Sequence, residues 1–220
     1  MIRAVIFDLD GVIVSTDEYH FLAWKRVADE EGIPFSRQNN ERLRGVSRME
    51  SLEIMLERAA RKYSQAGKVA MAERKNGYYR ELLKDLTPAD ILPGVLPVLD
   101  DLRKRGIKLA IGSSSKNAGP ILKAIGMETA FDVVVDGTHI TQSKPDPEVF
   151  AKAGVSLGVP PGQCLVVEDA DAGVEAGLAA GMPVLAVGFA AAHPNATLKA
   201  RSLAEITVEE MLRVDTREVS

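Results

Sequence analysis

The sequence predicts an α/β protein: a doubly wound, Rossmann-like parallel sheet with an α-helical cap domain inserted after its first strand. Three observations carry this prediction. Short apolar runs recur along the chain, helical patterns separate the later runs, and residues 16–90 hold much helical periodicity but almost no strand signal. An ordinary crossover between parallel strands needs far fewer residues than that interval supplies.

The first strand is read at residues 2–7, where an apolar run ends at Asp8. Helices rich in Glu, Lys, Arg, Leu and Ala follow at 17–31, before Gly32, at 49–63 and at 69–86. The chain returns at Leu92-Pro93-Gly94. Helices are then expected at 95–105, 117–125, 146–157 and 172–180, each followed by a glycine (Gly106, Gly126, Gly158, Gly181) that serves as a stop. Strands at 107–112, 131–135, 164–167 and 183–187 complete the alternation. Right-handed crossovers then give a core of residues 1–15 and 93–220, with residues 16–92 as the helical cap. Both linkers leave the core beside Asp8 and Asp10, a placement that suits a lid.

Bulk properties narrow the function. At 46% hydrophobic over 220 residues the chain can bury a substantial core. A formal net charge of −4 supplies no broad basic field, so nucleic acid is not expected and an anionic ligand must be held by local groups. The lone Cys164 excludes an internal disulfide framework and a zinc cluster, which fits the cytoplasm. The apolar run at the N-terminus is too short for a signal peptide or membrane span. A monomer is the default.

Four short motifs fall at successive expected strand ends. Asp8-Leu9-Asp10-Gly11 ends the first strand, and strand alternation would put both carboxylates on one face; taken alone, it fits a turn-forming acidic pair equally well. Gly112-Ser113-Ser114-Ser115-Lys116-Asn117 is a hydroxyl-rich loop entering a helix, suited to an anion or, more simply, to ordinary N-capping. In Ser143-Lys144-Pro145, the proline disfavours helix at Lys144. Glu168-Asp169 offers adjacent oxygen ligands for a hard cation such as Mg²⁺.

Taken in order, these motifs resemble the haloacid dehalogenase superfamily, and the likeness covers essentially the whole chain, cap included. Cap details, namely Glu18-Tyr19-His20-Phe21 with Trp24-Lys25, Gly45-Val46-Ser47-Arg48 with Glu50-Ser51, and Arg74-Lys75-Asn76, resemble its β-phosphoglucomutase branch. Without that resemblance His20 and Trp24 would be read as packing, and Arg48 and Lys75 as solvated charges.

The resemblance implies that Asp8 is a nucleophile that becomes an aspartyl phosphate, and that Asp10 is the general acid and base. It implies Mg²⁺ held by Asp8, the Asp10 carbonyl, Glu168 and Asp169, with Ser113 and Lys144 on the transferring phosphoryl group. Thr16 would support Asp10. Arg48, Ser115, Lys116 and Asn117 would clamp a second phosphate, assisted by Gly45, Val46, Ser47 and the Ser114 backbone. His20, Trp24, Ser51 and Lys75 would hold the sugar. The implied reaction interconverts β-D-glucose 1-phosphate and glucose 6-phosphate through a 1,6-bisphosphate; a sugar-phosphate phosphatase using the same Asp8 is the alternative. A receiver-type phospho-accepting module is a second rival, against which the long cap counts. Ser15 departs from the family's acidic hinge residue and Ser114 from its common alanine.

Overall fold

The structure is a computed structural model that describes residues 1–214. Its sheet has six strands: β1 Ala4–Phe7, β2 Lys108–Gly112, β3 Val133–Val135, β4 Cys164–Glu168, β5 Val184–Ala186 and β6 Leu198–Lys199. They are all parallel and lie in the order β3-β2-β1-β4-β5-β6. Chain order runs outward in both directions from β1, so the crevice for ligands opens at the C-terminal ends of β1 and its neighbours. Strand β6 is absent from the sequence reading because two residues carry no periodicity. It forms by pairing Leu198 and Lys199 with Leu185 and Ala186, while Thr197 Oγ1 accepts the Val184 N–H at 3.0 Å.

The helices are α1 Asp17–Glu31, α2 Arg37–Glu41, α3 Arg48–Leu56, α4 Gln65–Leu82, α5 Val95–Lys104, α6 Ala118–Ala124, α7 Glu148–Leu157, α8 Asp171–Ala179 and α9 Val208–Leu212. Side-chain alternation along the strands divides the core. Val5, Phe7, Leu109, Ile111, Leu165 and Val167 pack on one face with residues of α5, α6 and α9; Ala4, Ile6, Ala110, Cys164 and Val166 pack on the other with α7 and α8.

Helices α1 to α4 occupy the interval between β1 and β2 and have a core of their own, built on Trp24, Val27, Ala28, Leu52, Met55 and Met71. Helix α3 ends at Leu56, short of the expected 63, and α4 begins at Gln65 rather than 69. Arg61 and Tyr63 turn back to Glu31 of α1 at 2.8 and 3.1 Å, and Ser64 caps the next helix by accepting the Gly67 N–H. The short α2, also unanticipated, is started by a capping box between Ser36 and Asn39. The two chain crossings between these helices and the sheet pair with each other. Leu92 N–H donates to Ile13 C=O at 2.9 Å, and Val14 bridges Ile91. Among the described residues no helix is long and apolar enough to cross a membrane.

Candidate active site

The sheet delivers the four motifs to one place. Strand β1 ends at Phe7, so alternation stops before Asp10, and residues 9–14 fold into a tight turn in which Gly11 N–H donates to Val14 C=O. The expectation that both carboxylates continue one strand face is therefore corrected: Asp8 turns toward Lys144 and Asp10 toward Thr16. Gly11 has φ 83°, and a Cβ there would sit 2.0 Å from Asp169 Oδ2, so glycine is required for both the turn and the close approach.

Lys144, 1% exposed, donates to Asp8 Oδ1 and, at 2.8 Å, to Glu168 Oε1. The other Glu168 oxygen accepts the N–H groups of Asp169 and Ala170 at 2.6 and 3.1 Å, just before α8. This seat depends on Gly173, where a Cβ would stand 1.7 Å from Glu168 Oε1. The sequence marks that glycine with no signal beyond its place in a helix.

Asp8, Glu168 and Asp169 bring carboxylate oxygens within 4.8 Å of one another, a set that can hold a metal ion. Burial, reinforced by the neighbouring carboxylates, raises the pKa of both Asp8 and Asp169, although Lys144 opposes it at Asp8 and Arg44 at Asp169. At Lys144 burial works against the ammonium, but Asp8 and Glu168 outweigh it and its pKa rises. Three buried carboxylates against one ammonium form an all-oxygen site with excess negative charge, which fits a hard divalent cation.

Burial also raises Asp10 to about 6, against the hydrogen bond from Thr16. Thr16, itself 1% exposed, accepts the Tyr79 hydroxyl at 3.1 Å. On the loop after β2, Ser113 Oγ accepts the Ser115 N–H at 3.1 Å, so its own proton is available to an anion; the Ser114 N–H has no partner among the described residues. Ser115 Oγ accepts the Asn117 N–H at 3.2 Å, and Asn117 Nδ2 donates to Asn76 at 3.1 Å, joining sheet and cap.

Helices α1 and α4 place His20 and Lys75 together, Lys75 Nζ lying 2.9 Å from His20 Nδ1. Burial, then the Arg48 charge, lowers Lys75 to about 7; burial and the nearby Lys75, Arg48 and Arg44 charges push His20 well below its ordinary value. His20 is therefore neutral. A protonated Lys75 can only donate, which leaves the imidazole proton on Nε2. Arg48, at the start of α3, has its pKa lowered by burial, and among the described residues its one ion pair is to the exposed Glu73 at 3.1 Å. So weak a partner leaves Arg48 available to a ligand.

One cavity of about 430 Å³ is lined by every residue expected in the site except Thr16 and Glu168, which are buried behind it. The sequence reading gave no role to Asn40, whose buried Oδ1 has no partner among the described residues, to Arg44, or to Asn76, which it quoted only within the Arg74-Lys75-Asn76 motif. Arg44 pairs with Asp17 and Glu41 and approaches Asp169 Oδ2 at 3.8 Å. It directly precedes the Gly45-Val46-Ser47-Arg48 motif, which is the signal that could have identified it.

Residues 2–181 match the model of the haloacid dehalogenase-like hydrolases. The chain belongs to that family. It is 45% identical over 209 residues to the beta-phosphoglucomutase of Bacillus subtilis (strain 168), covering 94% of this chain and 92% of the relative. It is 35% identical to the phosphorylated carbohydrates phosphatase of Thermotoga maritima, covering 96% and 97%. A crystal structure of beta-phosphoglucomutase from Clostridium difficile superimposes with a TM-score of 0.92 at 39% identity, covering 99% of this chain and 98% of that one.

Proposed function

We infer that the chain is an isomerase with β-phosphoglucomutase activity, interconverting β-D-glucose 1-phosphate and glucose 6-phosphate. The observation that carries this reading is one cavity lined by Asp8, Ser113 and Lys144 together with further cations, Arg48 and Lys116, that are not engaged with Asp8. A phosphatase needs only the first set. A mutase must hold a bisphosphate at both ends, and substantial identity to a mutase along nearly the whole chain supports the same conclusion.

The residues support a consistent division of labour. Asp8 carries the phosphoryl group as an aspartyl phosphate. When β-glucose 1-phosphate binds, its 6-hydroxyl attacks phosphorus, the bond to Asp8 breaks, and Asp10 takes the hydroxyl proton. The resulting 1,6-bisphosphate turns over, Asp8 attacks the 1-phosphate, and Asp10 returns its proton to the departing sugar oxygen. Asp10, raised to about 6, can serve in both directions near neutrality. Ser113, Lys144 and the Ser114 N–H hold the transferring group, while Arg48, Lys116 and Asn117 hold the resting phosphate. Neutral His20 and protonated Lys75 donate to sugar hydroxyls, with Trp24 and Ser51 completing the wall. Mg²⁺, held by Asp8, Glu168, Asp169 and the Asp10 carbonyl, would neutralise charge on the transferring phosphoryl group when bound. Residues 16–92 are proposed to move as the cap, hinged where the linkers pair.

The phosphatase reading is favoured by the Thermotoga maritima relative at 35% identity. An assay that couples glucose 6-phosphate production to a dehydrogenase tests the choice. Steady glucose 6-phosphate formation from β-glucose 1-phosphate, primed with bisphosphate, is expected. Stoichiometric release of inorganic phosphate would instead establish the phosphatase.

A further inference from the structure

Phe189 lies in the turn after β5, in a stretch where the sequence shows no functional pattern, and the residue is 63% exposed. A single exposed aromatic is unremarkable by itself. What distinguishes this one is that the Arg44 guanidinium stacks over it, 3.8 Å from the ring centroid. The two residues belong to opposite sides of the cavity. Arg44 is fixed to the helical side by its pairs with Asp17 of α1 and Glu41 of α2. The Phe189 turn is fixed to the sheet, because Ala190 N–H donates to the Asp169 carbonyl at 2.9 Å. The adjoining Gly45 touches the sheet side as well: a Cβ there would lie 2.9 Å from that of Ala170.

We propose that Phe189 is a positioning residue for the phosphoryl transfer, a docking post on the core on which Arg44 rests when the cap closes. The carboxylates of Asp17, Glu41 and Asp169 surround the guanidinium and set its orientation, so that its flat face meets the ring. The aromatic face then attracts the cation electrostatically, which an aliphatic side chain of similar bulk does not. An exposed contact of this type shifts a two-state equilibrium by about two- to fivefold. Because closure brings the cap residues onto the substrate, that shift passes directly into turnover.

The kinetic part of this proposal rests on the mutase reading; the conformational part does not. The test uses spin labels at Lys62→Cys on the cap and Lys123→Cys on α6, both exposed, in the metal-loaded chain; Cys164 is buried and takes no label. Phe189→Ala and Phe189→Leu are expected to raise the ratio of long-distance to short-distance populations by about two- to fivefold, whereas Phe189→Tyr stays at the wild-type distribution. In unlabelled protein kcat/KM for β-glucose 1-phosphate falls in proportion to the loss of the closed fraction read from the distances, by up to about fivefold, in Ala and Leu and is retained in Tyr. An unchanged distance distribution in Phe189→Ala overturns the proposal, and so does a Leu variant indistinguishable from wild type, since bulk alone would then suffice. If the distances shift as expected but wild type itself fails to isomerise the sugar phosphate, the docking post stands and the mutase reading falls.

Discussion

The Tyr79 hydroxyl donates to Thr16 Oγ1 across 3.1 Å, and that bond determines where Thr16 sends its own proton: to Asp10. A hydroxyl has one proton and two lone pairs. With one lone pair filled by Tyr79, rotation of the Thr16 hydroxyl away from Asp10 is disfavoured. A residue on α4 thus reaches the proposed acid and base, Asp10, through an intermediary.

Removing that hydroxyl tests the relay. Tyr79→Phe keeps the ring and its packing against His20, whose centroid lies 4.2 Å away, but frees the Thr16 proton. One hydrogen bond is worth about 0.5–1.5 kcal/mol, so kcat should fall by about two- to tenfold with KM nearly unchanged. Steady-state kinetics that show a changed KM and an unchanged kcat would place Tyr79 in substrate binding instead.

The pH dependence of kcat/KM has a definite sign. Asp10 must be ionised to accept the first proton, so activity rises as pH passes about 6; Lys75 must be protonated to donate, so activity falls as pH passes about 7. A narrow bell is expected, and Lys75→Met should abolish the alkaline limb while leaving the acid limb in place. An alkaline limb that survives in Lys75→Met would assign it to another group.

Metal removal should make stability fall with pH. Asp8, Asp10 and Asp169 have folded pKa values raised above 3.8 by burial, so the folded state keeps protons that the unfolded chain has lost. Their contribution is present at low pH and disappears as pH rises through the raised values. Between pH 5 and 7 His20, with its depressed pKa, opposes them, and Lys75, lowered to about 7, joins it only toward the top of the interval, so the three carboxyl groups outweigh them. Thermal unfolding of the chelated protein should therefore show a lower Tm at pH 7 than at pH 5, and millimolar Mg²⁺ should remove the difference. A Tm that rises over that interval without metal would contradict the charge excess at the site.

Arg48 separates the two candidate reactions. Charged hydrogen bonds are worth about 1.5–3 kcal/mol, so Arg48→Ala should lower mutase kcat/KM by about 10- to 150-fold. Hydrolysis of p-nitrophenyl phosphate, which has no second phosphate, should stay within about twofold of wild type, a comparison made in the same preparation.

Much of this architecture is legible in the chain because it depends on local pattern. Helix α1 lies at the expected Asp17–Glu31, since the acidic Asp17 and Glu18 suit its first turn and Gly32 ends it in the left-handed conformation. The site residues read from motifs sit at strand ends and helix starts, where topology gathers them. What escapes the sequence depends on distant partners. Strand β6 exists through pairing with β5, and α3 is cut short because Arg61 and Tyr63 are drawn to Glu31. Arg44 gains its significance from Phe189, 145 positions away in number. Gly173 looks like an ordinary helix glycine until the Glu168 side chain is found folded over it. No pattern in a window of neighbouring residues records such contacts.

The central claim is that phosphoryl groups pass through Asp8 between the two ends of one sugar. Phosphorus NMR on the chain with Mg²⁺, β-glucose 1-phosphate and a trace of the 1,6-bisphosphate tests it most directly, with Asp8→Asn run in parallel. The account predicts that wild type converts the β-glucose 1-phosphate signal into glucose 6-phosphate at constant total ester phosphate, while Asp8→Asn leaves the spectrum unchanged. Growth of an inorganic phosphate signal in place of glucose 6-phosphate, or conversion by Asp8→Asn at the wild-type rate, would contradict it.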